Sequence, residues 1–291
     1  MSSLKSLRIR MNSIKSTRKM TQAMKLVSAS KLRKAKEVLD GGRPYFNAME
    51  KATIAMLKNV QDKSEYPIAF GRGHDSRQTL LVVFGSNKGL CGSFNVNLVK
   101  RLKQDIEVLT QDGVGVEIIC VGKKVYELLR HLENKISLSS IELSSKEELE
   151  HFASDLTHRF HENLFDNCYV YYNHFISVMS QEISKKRLVP LFKEDDLVEG
   201  EQDQSITECL PDSGKLVNEM VPKVLLSQIL AMFQESQASE HGSRMSSMDN
   251  ATRNAGEMLK TLNTVYNRTR QAAVTTELIE ILSGAEAIKS N

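Results

Sequence analysis

The last third of the chain carries an apolar seam whose members recur every three or four residues. The seam runs for four heptads, a pattern typical of a helix packed along its length against another helix, through Met245, Met248, Thr252, Ala255, Leu259, Leu262, Tyr266, Thr269 and Ala273. From Gly214 to Ile288 there is one proline, Pro222, so the helix can be long. About 70 residues at 1.5 Å each extend on the order of 100 Å, which is far more than a small globular domain needs.

A second long helix is predicted at the other end of the chain, where no glycine or proline precedes Gly41. An acid-free basic segment of this kind is also typical of an organelle transit peptide, but the helical pattern continues past Glu37 with no cleavage region. Residues 1–60 and 213–288 are therefore predicted to pair as an intramolecular antiparallel coiled coil. The N-terminal apolar positions at helical spacing are Leu4, Leu7, Met11, Ile14, Met20, Met24 and Val27.

The middle of the chain, residues 76–192, alternates between strand-like and helix-like segments. The segments TLLVVFG, GVEIICVG, NCYVYYNHF and SKKRLVPLF are predicted strands, and amphipathic helices separate them. This alternation predicts a small Rossmann-like α/β domain with a largely parallel sheet. Residues 193–212 are rich in acids and are predicted to be a linker. The expected fold class is thus α/β, a long two-helix coiled coil plus one small domain.

A glycine-bearing turn, GSNKGLCGSFN from Gly85 to Asn95, lies between a predicted strand and a predicted helix. Phosphate-binding loops occupy such turns, but a P-loop needs its lysine after the second glycine, and Lys88 precedes Gly89. The dinucleotide pattern GxGxxG is absent as well. Nucleotide binding stays a minor alternative, whereas Leu90 and Cys91 at the edge of the sheet favour contact with a protein partner.

The remaining chemistry-bearing residues do not combine into a catalytic motif, so no catalytic residue, cofactor or metal is predicted. His151, His158 and His161 could share a metal, but they lie on the polar face of an ordinary amphipathic helix. No apolar run approaches the roughly 20 residues of a membrane span, which predicts a soluble or peripheral protein. Widely spaced cysteines favour reduced thiols over a disulfide framework; they are Cys91, Cys120, Cys168 and Cys209.

Three segments together resemble the gamma subunits of F-type ATP synthases. They are MTQAMKLVSASKLRKA in the basic helix, the turn NKGLCGSFN, and the C-terminal block ASEHGSRMSSMDNATRNAGEMLKTLNTVYNRTRQAAVTTELIEILSGAEAI. The resemblance implies a central-stalk rotor that is not itself an enzyme. Its expected partners are the alpha and beta subunits, the epsilon subunit and the c-ring, with no nucleic acid and with membrane contact only through the complex.

The resemblance also implies which residues meet the beta subunits and where the protein works. The implied contacts are Met24, Lys88, Gly89, Leu90, Cys91, Arg270, Gln271, Thr275 and Glu277. With no presequence ahead of the helix, the expected location is peripheral, at the cytoplasmic face of a bacterial plasma membrane. Small and polar residues are expected on the outer face of the C-terminal helix, where they would avoid a tight grip on the surrounding subunits: Ser239, Gly242, Ser243, Ser246, Ser247 and Ala251.

The main rival interpretation is a nucleic-acid-binding coiled coil that uses the basic N-terminal helix. Its basic residues surround the helix instead of lining one face: Lys5, Arg8, Arg10, Lys15, Arg18 and Lys19. A second rival is a nucleotide-dependent enzyme built on the α/β domain, which a nucleotide titration would detect.

Overall fold

The computed structural model describes residues 4–57, 63–72, 77–192 and 213–289. The predicted acidic linker, residues 193–212, lies outside the described residues. Two compact units are present, residues 1–28 with 245–291 and residues 29–244, and each is considered by itself. The described elements are α1 (Leu4–Leu57), α2 (Pro67–Phe70), β1 (Gln78–Phe84), α3 (Phe94–Gln111), β2 (Gly115–Val121), α4 (Lys123–Leu129), β3 (Ser137–Ile141), α5 (Lys146–His161), β4 (Asn167–Phe175), β5 (Gln181–Val189) and α6 (Ser213–Lys289), with 3₁₀ turns at Lys63–Glu65 and Arg130–Leu132.

The first unit pairs the start of α1 with the C-terminal part of α6 in antiparallel order. Lys25 Nζ lies 2.6 Å from Asp249 Oδ1, and Thr21 Oγ1 lies 2.7 Å from Thr252 Oγ1. The partner number on α6 rises as the number on α1 falls, which only an antiparallel pair allows. Every seam position from Met245 to Ala273 is buried or half-buried, and most residues between them are exposed. The heptad prediction for α6 is confirmed.

The seam predicted on α1 is wrong at Met20 and Val27, whereas its other positions, Met24 included, are buried or half-buried. Met20 and Val27 are exposed, whereas Thr21 and Ser28 are buried. A seven-residue repeat continued from Ile14 passes through Thr21 and Ser28, so the true seam becomes polar at these positions. The prediction assumed that every buried side chain would be hydrophobic. It therefore chose apolar residues that lie outside the seven-residue repeat.

The second unit is built on a five-stranded sheet in the order β3-β2-β1-β4-β5. The first four strands are parallel and β5 is antiparallel to β4, which confirms the largely parallel sheet. Strand β1 lies at its centre and is buried at every position after Gln78. Strand β3 was not predicted, because its segment SLSSI is short, serine-rich and mostly exposed.

Helices cover both faces of the sheet. On one face α3 and α4 pack against β1 and β2 through side chains such as Leu98, Leu102 and Val125. On the other face the core combines α5 with the end of α1 and the first half of α6, for example Phe160, Leu57 and Val224. Helix α6 thus supplies one wall of the domain core, a role that its heptad seam did not predict.

Helix α6 is also apolar enough, by length and composition alone, to pass a test for a membrane span. Within Leu216–Ala285 one 18-residue window has a mean hydropathy of 1.3, and 44% of that window is buried inside the protein. A helix that packs into the core of a soluble protein passes the same test, so the window is weak evidence of a membrane span.

Candidate partner-contact loop

The loop of residues 85–93 leaves the carboxyl end of β1 and leads into α3. Its tip is defined by two left-handed residues, Leu90 at φ 63° and Gly92 at φ 60°. The Leu90 side chain is 61% exposed and Lys88 is exposed, whereas Cys91 is buried. The prediction that both Leu90 and Cys91 form an apolar tip is therefore wrong for Cys91, because the left-handed turn at Leu90 directs the two side chains differently.

Backbone amides at the start of the loop and at the start of α4, which could otherwise bind a phosphate, donate to protein acceptors. The Ser86 amide donates to Asn95 Oδ1 at 3.0 Å, and Asn95 Nδ2 donates to Ser86 Oγ at 2.8 Å. At the start of α4, the Lys123 amide donates to Asn87 Oδ1 and the Lys124 amide donates to the Ser86 carbonyl oxygen. These amides face protein acceptors, so the strand-turn-helix geometry does not present them to a ligand.

The crevice where doubly wound sheets bind ligands is occupied by α6. This crevice lies at the carboxyl ends of the neighbouring strands β1 and β4. The connecting helices α3 and α5 cover opposite faces of the sheet, so the connections change sides between these two strands. Ser236 Oγ donates to the Phe84 carbonyl oxygen at 3.1 Å, and Ser239 Oγ donates to the Asn173 carbonyl oxygen at 2.8 Å. The helix thus satisfies the strand ends that a cofactor would otherwise approach.

The next turns of α6 hold the loop itself. Ser243 Oγ donates to the Cys91 carbonyl oxygen at 2.6 Å. Arg244 donates through Nη2 to the Lys88 carbonyl oxygen at 2.9 Å and through Nε to that of Gly89 at 3.2 Å. Arg244 Nη2 also lies 2.6 Å from Glu240 Oε1, and these side chains are only 10% and 16% exposed. The carbonyl oxygens of Lys88, Gly89 and Cys91 in the loop are therefore all hydrogen-bonded to α6.

These contacts correct the expectation that the small residues of α6 lie on an outer face. Ser239 and Gly242 are buried, and Ser243 is half-buried against the loop. A β-carbon on Gly242 would lie 3.4 Å from the Phe175 ring, so the end of β4 lies close to the helix at this position. The residues are small because strand ends and loops approach the helix closely there.

Burial controls the ionisation of the two groups beside Arg244. Burial raises the pKa of Glu240, although Arg244 and the more distant lysines Lys31 and Lys88 act in the opposite direction. For His241, burial and the positive charges of Arg244 and Lys31 lower the pKa to about 4. At neutral pH His241 is therefore neutral, and Arg244 carries the positive charge at this junction.

A cavity of about 480 Å³ lies beside the loop, at the ends of β1 and β2. Its floor is apolar, with Phe84 and Phe233, and lysines line it, including Lys31 and Lys34. Among the described residues, no group of three or more His, Cys, Asp or Glu side chains could hold a metal ion.

The other predicted contact residues lie in the first unit. Met24 is half-buried on α1. Arg270, Gln271, Thr275 and Glu277 are all exposed along one stretch of α6, and Thr275 Oγ1 donates back to the Gln271 carbonyl oxygen at 2.9 Å. The loop residues Lys88 to Cys91 form a separate group in the second unit.

The sequence named Ser239 and Ser243 of α6 in a different role, on an outer face, and did not single out Ser236 or Arg244. Ser236, Ser239 and Ser243 recur at spacings of three and four, so they share one face of the helix. That spacing was a usable signal for a closely approached helix face. Arg244 could not be singled out, because its partners are carbonyl groups more than 150 positions away in the sequence.

The fold and site define a helix-pair protein with an α/β domain whose ligand crevice is filled by its own helix. Residues 3–288 match the family model described as ATP synthase. Curated relatives named ATP synthase gamma chain are 40% identical in both Magnetococcus marinus and Paracoccus denitrificans, each over 99% of this chain and 100% of the relative. The chain belongs to the ATP synthase gamma-chain family.

Solved structures agree with this assignment. The central stalk and c-ring structure of the Tetrahymena thermophila mitochondrial ATP synthase contains a chain that is 26% identical, with a TM-score of 0.60 over 80% of this chain and 99% of that chain. A chain in the rotor of the Euglena gracilis mitochondrial ATP synthase has a TM-score of 0.65 at 19% identity, over 93% of this chain and 98% of that chain. The second likeness concerns the fold alone.

Proposed function

We propose that this chain is the central-stalk rotor subunit of an F-type ATP synthase. It couples rotation of a proton-driven membrane ring to ATP synthesis or hydrolysis in a hexamer of alpha and beta subunits. The observation that carries the proposal is the bonding of loop 85–93 to α6 through Ser243 and Arg244. A force applied to the exposed Lys88 or Leu90 passes directly into the long helix, as a rotor requires.

The proposed partners are the alpha and beta subunits, the epsilon subunit and the c-ring. The similar Tetrahymena chain belongs to a structure of a central stalk with its c-ring, which supports the c-ring as a partner. Membrane contact arises only through the complex, at the cytoplasmic face of a bacterial plasma membrane. The reported gamma-chain relatives are bacterial, and none of them is described as a nucleic-acid-binding protein.

The rotor is proposed to have no catalytic site of its own. In support, α6 bonds to the carboxyl ends of β1 and β4, and the Gly85 and Ser86 amides at the start of the turn donate to protein acceptors. The purified chain is expected neither to hydrolyse ATP nor to bind it tightly. A micromolar affinity for ATP that is lost in Lys88→Ala would overturn this part of the proposal.

The proposed organisation assigns residues 1–60 and 213–288 to the stalk helices, 76–192 to the α/β domain and 193–212 to a linker. Beta-subunit contacts are proposed in two regions of the chain. The α/β domain contributes Lys88 to Cys91, of which Cys91 takes part through its backbone because its side chain is buried. The stalk helices contribute Met24, Arg270, Gln271, Thr275 and Glu277.

Charge reversal in the assembled complex tests the loop contact. Lys88→Glu is expected to slow ATP-driven proton pumping about two- to fivefold, because an exposed ion pair contributes up to about 1 kcal/mol and each 1.36 kcal/mol is tenfold in rate. Lys100→Glu, an equally exposed lysine on α3, is the matched control and should pump at the wild-type rate. Equal rates for both variants, with normal subunit yield, would contradict the assigned contact.

A further inference from the structure

The turn between β4 and β5, residues 176–180, presents two apolar side chains to solvent. Ile176 is 55% exposed and Met179 is 80% exposed, the largest exposed fraction among the large apolar side chains of the described residues. An exposed apolar pair at a turn is unusual, because turns normally carry polar residues.

Hydrogen bonds hold this turn in one conformation. The Ser177 amide donates to the Ser180 carbonyl oxygen at 2.9 Å, and Ser177 Oγ accepts from the amides of Met179 and Ser180. Gln181 Nε2 donates to the carbonyl oxygens of Ser177 and Val178 at 3.0 and 2.9 Å. These five hydrogen bonds fix the turn, so the exposed side chains are displayed on a preorganised frame, which lowers the entropy cost of docking.

The turn lies at the same edge of the sheet as loop 85–93. Strands β1 and β4 are adjacent and parallel, so their carboxyl ends point to the same edge of the sheet. The pairing of Val83 with Tyr171 shows that β4, which ends at Phe175, extends beyond the end of β1 at Phe84. Consecutive residues of α6 contact the two segments: a β-carbon on Gly242 would lie 3.7 Å from Val178 Cα, and Ser243 bonds to Cys91. The loop and the turn are therefore neighbouring parts of one surface that is fixed to one helix.

We propose that the 176–180 turn is a second contact surface of the rotor and that its occupant is the beta subunit that also meets loop 85–93. This inference rests on the proposed function. The loop supplies a charge, Lys88, whereas the turn has no charged residue and supplies Ile176 and Met179. A flexible methionine adapts to different apolar neighbours, which suits a surface that meets successive beta conformations during rotation.

Cross-linking in the purified complex tests the occupant. Met179→Cys, in a Cys209→Ser background, is labelled with a maleimide carrying a photoreactive group; Cys91, Cys120 and Cys168 are buried. The expected product links this chain to a beta subunit. Lys88→Cys serves as the reference for the loop contact. Val108→Cys, at an apolar position on α3 that is as exposed as Ile176, is the matched control and should not link to beta.

The outcomes separate this inference from the proposed function. The turn's assignment alone is overturned if Lys88→Cys cross-links to beta but Met179→Cys does not. Met179→Cys would then link only to epsilon, only to a second copy of this chain, or to nothing. Absence of beta products from both positions overturns the rotor contact as well.

A second measurement asks whether the contact affects function. Met179→Asp is expected to slow turnover about threefold or more without loss of assembly, because a buried carboxylate in an apolar contact is unfavourable. Met179→Leu should restore the wild-type rate, and Val108→Asp should not change it. Wild-type turnover in Met179→Asp overturns the proposal.

Discussion

Replacing Arg244 by methionine would test how the contact loop is held. The substitution keeps most of the side-chain volume but removes the hydrogen bonds to the Lys88 and Gly89 carbonyl oxygens and the ion pair with Glu240. Because both charged side chains are largely buried, Glu240 would be left without its counter-charge at that position. We expect loop 85–93 to detach from α6 as a consequence.

The structure sets the size of the effect. Removing one partner of a buried ion pair costs about 3–5 kcal/mol. The Lys88 and Gly89 carbonyl groups lie at the surface end of the loop, where water can replace the guanidinium, so their lost hydrogen bonds should cost little. We therefore expect Arg244→Met to lower the free energy of unfolding by about 3 kcal/mol. Glu240→Gln combined with Arg244→Met should recover a substantial part of this loss, since no buried charge then remains, with a coupling energy of about 1–2 kcal/mol.

The pH dependence of the variant carries a further signature. Burial already raises the pKa of Glu240, and Arg244 is the main opposing influence. Without Arg244 the folded state binds a proton more readily than the unfolded state does, so folding gains stability as the pH falls through the raised pKa. The destabilisation by Arg244→Met should therefore be smaller at pH 5 than at pH 7.

Denaturant unfolding of the purified chain, with hydrogen exchange of the loop amides, measures both effects. Arg253→Met is the matched control, because Arg253 is 66% exposed and pairs with Asp249 at 3.5 Å on the same helix; it should cost less than about 0.5 kcal/mol. If Arg244→Met unfolds within that same margin of the wild type, and its loop amides exchange no faster, the reasoning about the buried pair is refuted.

Four further predictions follow from other parts of the chain. Arg270→Ala should slow steady-state turnover about ten- to a hundredfold with assembly largely intact, since a hydrogen bond to a charged group is worth about 1.5–3 kcal/mol; wild-type turnover would refute the contact. Gly122→Ala should destabilise the chain by more than about 1 kcal/mol in denaturant unfolding, because at φ 117° its β-carbon would lie 2.9 Å from the Gly85 carbonyl group. Cysteines replacing Thr21 and Thr252 should form a disulfide within one chain, and disulfides only between chains on non-reducing gels would contradict the antiparallel register. The pKa of His241 is lowered to about 4 by burial, so stability should fall as the pH drops from about 6.5 towards 4, and His241→Gln should weaken this slope in acid titrations.

The sequence by itself determined the elements that depend on local periodicity. The seam from Met245 to Ala273 repeats strictly, so it identified both the helix and its buried side, and the alternation across residues 76–192 identified the parallel sheet. These inferences succeed because a repeat of 3.5 or 2 residues follows from backbone geometry alone.

Only the tertiary structure decided which polar residues are buried and what they hold. Thr21 and Ser28 lie in the seam of α1 although they are polar, and Ser239 and Ser243 meet carbonyl groups of a strand and a loop 66 and 152 positions away. A buried hydroxyl is stable only where such a partner exists, and the partner is supplied by chain folding rather than by neighbouring sequence. The inward position of Cys91 has the same origin, because its environment is made by α6 and Asn95.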